Sequence, residues 1–376
     1  MSDLWILAGQ SNMEGCGKMT DIEQPGPNIR SFAQGDNWKI AEEQLHWLIE
    51  AVDDVHHPGI VGEELEAARR QYRIERNTGS GLGLTFAKTV SENAGIDIDL
   101  LPTAHGGTSM SQWSPDLKHL GGGSFYGTLL RRTQLALETG GDTQLRGILW
   151  YQGESDADAE NSPLYLQRMI RLIEALRKDL SAPNLPFYLV QLGCWAADVP
   201  GGDPASIGWN TVREAQRILP SLVPNTAAVP AIDLDLDDGI HIATNGLKRL
   251  GRRLANIALN ELYAVPSPTG PQLKSVTLEE NTIRVSYSGV SGGLKTPDAA
   301  KRVFGYSLDL GNGKPTPNPI FRSYIDLESP TDVLLFTEHP ITPNVKLYYG
   351  EGVFPHCQLA DQSDMAALAF GPEDLA

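Results

Sequence analysis

Short strand-like segments at residues 4–8, 96–102, 147–151, 187–192 and 227–234 alternate with stretches of helical period. This alternation constrains the chain more than any other feature. The continuous apolar run over 4–8 predicts a strand buried on both faces, and the other segments read as strands by their length and composition. The helical stretches cover 82–90, 129–138, 164–180, 211–219 and 247–262, and Leu166, Met169, Ile170, Ile173, Leu176 and Leu180 show the spacing well. Residues 41–76 read as shorter helical pieces around a turn at His57-Pro58-Gly59. Strands alternating with helices predict a parallel sheet covered on both faces, a three-layer α/β/α core. In such sheets ligands sit at the carboxyl ends of the strands.

The pattern changes at Val265-Pro266-Ser267-Pro268-Thr269-Gly270-Pro271, a linker by composition. Beyond it helical periods vanish, and residues 276–278, 282–287, 333–336 and 345–349 read as strands between Gly-, Pro- and Asn-rich turns. The expected organisation is an α/β domain over 1–265 and a small β-sandwich-like domain over 266–376.

Charge narrows the partners. Lys plus Arg is 30 against 47 Asp plus Glu, a formal charge of −17. A phosphate backbone requires a basic footprint, so nucleic acid and anionic membrane are excluded as first choices. No run reaches the roughly 18 apolar residues of a membrane span. The N-terminus lacks the basic and long apolar regions of a signal peptide, which predicts a cytoplasmic protein; a secreted or periplasmic chain stripped of its leader would read the same. Cys16, Cys194 and Cys357 form neither a metal-type spacing nor an even disulfide framework.

Four polar clusters follow predicted strands. Gly9-Gln10-Ser11-Asn12-Met13 closes the first, putting Ser11 in the ligand crevice, with Gly9 allowing a tight turn. A capping serine is the plainer alternative. Polar Gln10 and Asn12 beside Ser11 suit a short acyl group. In Asp238-Gly239-Ile240-His241 the carboxylate reaches back to the imidazole Nδ1, leaving Nε2 as a base toward a serine hydroxyl. The alternative is an acidic loop with a histidine before a helix. Ala104-His105-Gly106-Gly107-Thr108 offers backbone N–H groups to an oxyanion, or is a glycine turn. In Trp150-Tyr151-Gln152-Gly153-Glu154, the Gln152 amide is a candidate oxyanion donor, and Glu154 can pair with a base or hold a loop. Together the four supply a nucleophile, a base, an orienting acid and oxyanion donors.

In order and wording these blocks resemble the SGNH hydrolase superfamily. The likeness, over roughly residues 4–262, is to its sialate O-acetylesterase and acetylxylan esterase branch, carbohydrate esterase family six. The resemblance implies a flavodoxin-like three-layer core with parallel sheet and ester hydrolysis without metal or cofactor. It implies Ser11 as nucleophile, His241 as base and Asp238 as acid, with Glu154 a rival acid. The backbone N–H groups of Ser11 and of Gly107 (or Gly106) match the oxyanion hole, and Gln152 takes the place of the superfamily's asparagine. Gln10, Asn12 and Trp113 are the residues expected to line the substrate pocket. The implied substrate is an acetylated carbohydrate, of acetylxylan or sialate type. A catalytically weak glycan-binding protein on the same fold, or a short-chain lipase or thioesterase, are the alternatives.

Other features weigh less. Gly79-x-Gly81-x-Gly83 reads as a helix start rather than a dinucleotide fingerprint. His56-His57 has no acidic or thiol partner at metal-ligand spacing. Arg69, Arg70, Arg73 and Arg76 read as a solvated helix face. Trp195 and Trp209, after a strand, are packing residues or sugar platforms.

Overall fold

A computed structural model describes all residues except 58, 76, 199–202, 342–343 and 376, and their side chains except those at 69 and 72–75. Arg69, Arg73 and Arg76 therefore lie outside the described side chains. A seven-stranded sheet runs Trp38–Ile40, Ile29–Phe32, Asp97–Pro102, Ser2–Gly9, Thr143–Tyr151, Phe187–Gln191, Thr226–Pro230. Only the Trp38–Ile40 edge strand is antiparallel to its neighbour. Chain order reverses around Ser2–Gly9, whose neighbours are Asp97–Pro102 on one side and Thr143–Tyr151 on the other. A crevice at its carboxyl end follows.

The Ser2–Gly9 strand is buried along its whole length, as its apolar run requires. The helices are Gly62–Glu75, Gly83–Ala94, Phe125–Thr139, Tyr165–Asp179, Pro204–Leu222 and Thr244–Leu262. Gly83 opens its helix as the glycine triplet suggested. Two helices start earlier than the periodicity predicted, because polar caps set their ends. Ser124 accepts from the Gly127 N–H, and Asp203 accepts from Ala205 with Pro204 in the first turn. The edge strand Trp38–Ile40 and its neighbour Ile29–Phe32 escaped the sequence reading, being three or four residues of mixed polarity.

After Gln272 the sheets are antiparallel. Gln272–Glu279, Thr282–Ser288, Asp332–Thr337 and Ile320–Ile325 form one, and Tyr306–Asp309, Lys346–Tyr349 and Phe370–Asp374 another. Their shared core includes Val285, Leu308, Leu335, Leu347 and Tyr349, and also Cys194 and Ile232 from the first part. Val353, Met365 and Leu368 pack in return into the α/β core. Buried Arg253 holds Asp233 and the Pro230 and Asp364 carbonyls, so one cation binds both parts.

One buried carboxyl yields a pH-dependent prediction. Glu43 takes the Gly81 N–H on Oε2 at 3.3 Å, while its buried Oε1 has no partner among the described residues. Burial, helped by the charge of Glu23 and opposed by the Gly81 bond, pushes it up to about 8. A carboxyl raised on folding costs nothing below its unfolded pKa, and destabilises progressively as pH rises from there to about 8. Glu43→Gln should therefore raise Tm by about 2–4 °C at pH 8 and barely change it at pH 5. Thermal melts showing equal shifts at both pH values would refute this.

Candidate active site

The Ser2–Gly9 strand ends against the backbone of Tyr151. Gly9 has φ +132°, and a Cβ there would lie 2.1 Å from the Tyr151 carbonyl oxygen, so only glycine fits. The Gln10 N–H bonds that same oxygen at 2.8 Å. The chain then turns into the short helix Ser11–Glu14, closed by Met13 and Glu14 N–H groups on the Gln10 carbonyl. Ser11 is half-buried, and among the described residues its hydroxyl has no hydrogen-bond partner. Its N–H opens the helix and has no intrahelical acceptor.

The glycine turn lies against Ser11. The His105 N–H donates to the Gly9 carbonyl at 3.1 Å, and a Cβ on Gly106 would be 3.5 Å from that of Ser11. The Gly106 N–H is committed to Glu14 Oε2 at 2.8 Å. Gly107, with φ +70°, is exposed, and its N–H has no acceptor among the described residues. Of the two glycines, Gly107 has the donor left for a ligand.

The segment before the last α/β helix carries His241. His241 Nδ1 lies 2.7 Å from Asp238 Oδ2, and Asp238 Oδ1 accepts the Ile240 and His241 N–H groups at 2.8 Å each. Burial alone would raise the Asp238 carboxyl. The His241 ring and the two N–H groups outweigh it and hold it at about 2, so it is ionised at any working pH. Among the described residues His241 Nε2 has no partner.

Asn12 joins these segments. Its Oδ1 accepts the Ile242 N–H at 2.9 Å, while its Nδ2 donates to the Ile240 carbonyl at 3.3 Å and to Glu154 Oε1 at 2.8 Å. The residue after Ser11 thus grips the chain on both sides of His241. Glu154 Oε2 is buried without a partner among the described residues. Burial raises its pKa, against the Asn12 bond and the His241 charge.

Four expectations are corrected. Gln152 does not face an oxyanion: it is buried, and its amide donates to the Thr108 carbonyl at 3.0 Å and Asp156 Oδ2 at 2.6 Å. Trp113 is not a pocket wall. It is buried between Phe125 and Trp150, with Nε1 donating to Thr108 Oγ1 at 3.0 Å. Gln10 and Asn12 do not line a pocket, since both are buried and turned to the protein; Gln10 Oε1 accepts from Ser155 and Gly153. Each is polar because it stitches loops together, which composition does not distinguish from binding substrate.

The sequence reading missed Glu14, which anchors the glycine turn, and took Asp156 for a helix cap, whereas it accepts from Gln152 and the Met110 N–H. Only their closeness to the motifs hinted at either. His56 Nδ1 meets His105 Nδ1 at 2.9 Å, and burial with neighbouring charge pushes His56 down to about 2. Trp209 is buried with Nε1 on the Gly193 carbonyl, and Trp195 stacks on it, half-exposed.

Comparison with known proteins places this geometry. A family model described as carbohydrate esterase, sialic acid-specific acetylesterase, matches residues 1–260. The chain belongs to this family. The esterase is 29% identical over 279 residues to a probable carbohydrate esterase of Arabidopsis thaliana, an alignment covering 69% of this chain and 91% of that one. A solved Arabidopsis thaliana protein is 28% identical with a TM-score of 0.52, over 69% of this chain and 98% of that one. A carbohydrate acetylesterase from Xanthomonas citri matches with a TM-score of 0.70 at 19% identity, over 98% of this chain and 80% of that one. This last likeness extends the shared fold into the antiparallel part. The esterase is thus a carboxylic ester hydrolase of SGNH-type fold that acts on carbohydrate.

Asn12→Ala should leave the Ile242 N–H and Glu154 Oε1 unpaired in a buried setting, at about 1–3 kcal/mol each. We expect kcat of the esterase to fall by about 10–100-fold with KM changed far less. Steady-state kinetics in which KM rises and kcat holds would return Asn12 to a substrate contact.

Proposed function

We propose that the esterase removes acetyl groups from a sugar by a Ser11–His241–Asp238 mechanism. Ser11 Oγ attacks the acetyl carbonyl carbon while His241 Nε2 takes its proton. The Ser11 and Gly107 N–H groups receive the oxyanion. The imidazolium returns the proton to the departing sugar alkoxide. Water, deprotonated by His241, then cleaves the acetyl-enzyme to acetate and restores Ser11. The observation that carries this reading is the 2.7 Å contact of His241 Nδ1 with Asp238, on a turn that Asn12 ties to the residue beside Ser11.

Glu154 is the rival acid because its buried Oε2 has no partner among the described residues and Asn12 links its other oxygen to the His241 turn. The bond of its other oxygen to Asn12 favours a supporting role. Ser11→Ala should reduce turnover of p-nitrophenyl acetate by at least about 10³-fold without changing the melting curve. Asp238→Ala should cost far more activity than Glu154→Ala; the reverse ranking would make Glu154 the acid.

For the sugar, the net charge of −17 supports a neutral acetylated polysaccharide such as acetylxylan over an anionic sialic acid. The family description favours the sialate. Acetate release from acetylated xylan and from O-acetyl sialic acid, compared as kcat/KM, decides between them.

A further inference from the structure

The antiparallel part reaches the neighbourhood of His241 through a line of backbone hydrogen bonds. The Ala196 N–H donates to the Gly239 carbonyl at 2.7 Å, inside the Asp238–His241 turn. The adjoining Trp195 N–H donates to the Val353 carbonyl at 2.8 Å, in the loop after the Lys346–Tyr349 strand. The next residue, Phe354, is 60% exposed.

A lone exposed phenylalanine needs no explanation, but this one stands on an unusually braced loop. Buried Arg213 donates to the Gly350 and Gly352 carbonyls and, from the same guanidinium, to those of Leu192 and Gly193. Asn210 accepts the Gly352 N–H at 2.9 Å and donates to Glu351. On the other strap, Trp195 rests one ring face on Trp209, with centroids 5.7 Å apart. The backbones of two aromatic residues, one from each part of the chain, are thereby tied through Ala196 and Val353 to the turn that carries His241.

We propose that Trp195 and Phe354 form an aromatic subsite for the pyranose ring whose ester is cleaved, so that the antiparallel part completes the substrate cleft. This rests on His241 marking the reaction centre. A sugar ring presents C–H groups on its faces, and an aromatic ring packs on them without needing a hydrogen bond. The subsite adds affinity for the sugar and leaves the acetyl chemistry to Ser11.

The test compares glucose pentaacetate, an acetylated pyranose, with p-nitrophenyl acetate, which has no sugar. Phe354→Ala should raise KM for the sugar ester by about three- to tenfold, the range of one aromatic contact. kcat on both esters, and KM for p-nitrophenyl acetate, should stay within about twofold. Phe354→Trp should restore the sugar KM, and Trp195→Ala should resemble Phe354→Ala. A sugar KM unchanged in Phe354→Ala, or an equal loss on both esters, would overturn the subsite. So would a change in gel-filtration volume with unchanged KM, which would assign Phe354 to self-association. Activity persisting in Ser11→Ala would instead refute the nucleophile and leave this KM comparison standing.

Discussion

The carboxamide of Asn12 is the joint on which the site depends. Its three hydrogen bonds reach Ile240, Ile242 and Glu154, which sit on two different loops. No other type of side chain of that size both donates twice and accepts in one plane. Because Asn12 follows Ser11 directly, any displacement of the Ser11–Glu14 helix pulls on the turn that carries His241. Gly9 sets the other end of the joint: its left-handed backbone presses the strand end onto Tyr151 and starts the helix at Ser11.

The buried arginines perform a similar task on a larger scale. Arg213 and Arg253 place their guanidinium groups among backbone carbonyls from both parts of the chain. A buried cation is tolerated only with such a full set of acceptors. Losing either part would strand it, so the antiparallel sheets and the α/β core are coupled by electrostatics as well as by shared apolar packing. The loop that bears Phe354 is braced by Arg213 and Asn210 in the same way.

Much of the fold was legible. The run at 4–8 is a fully buried strand because apolar side chains on both faces have nowhere else to go, and the amphipathic stretch at 164–180 became the helix Tyr165–Asp179. The strand at 29–32 was not legible, since four residues interrupted by Arg30 and Ser31 show neither a continuous apolar run nor a clear alternation. Within the site, Asp238 and His241 were readable because three residues separate them and one turn brings them together. Gln152 misled because an amide beside a strand end looks the same whether it faces solvent or, as here, Thr108 and Asp156.

The sequence by itself determined the layered α/β architecture, the change to antiparallel sheets after the proline-rich linker, and the pairing of His241 with Asp238. These depend on local periodicity and short-range geometry, which the order of residues encodes directly. Tertiary structure alone decided which polar groups remain open to a ligand. Gly107 keeps its N–H where Gly106 gives its own to Glu14, and Gln10, Asn12, Trp113 and Gln152 turn inward. Hydrogen-bond capacity is consumed by whichever partner the fold brings within about 3 Å, and such partners lie up to hundreds of residues away along the chain.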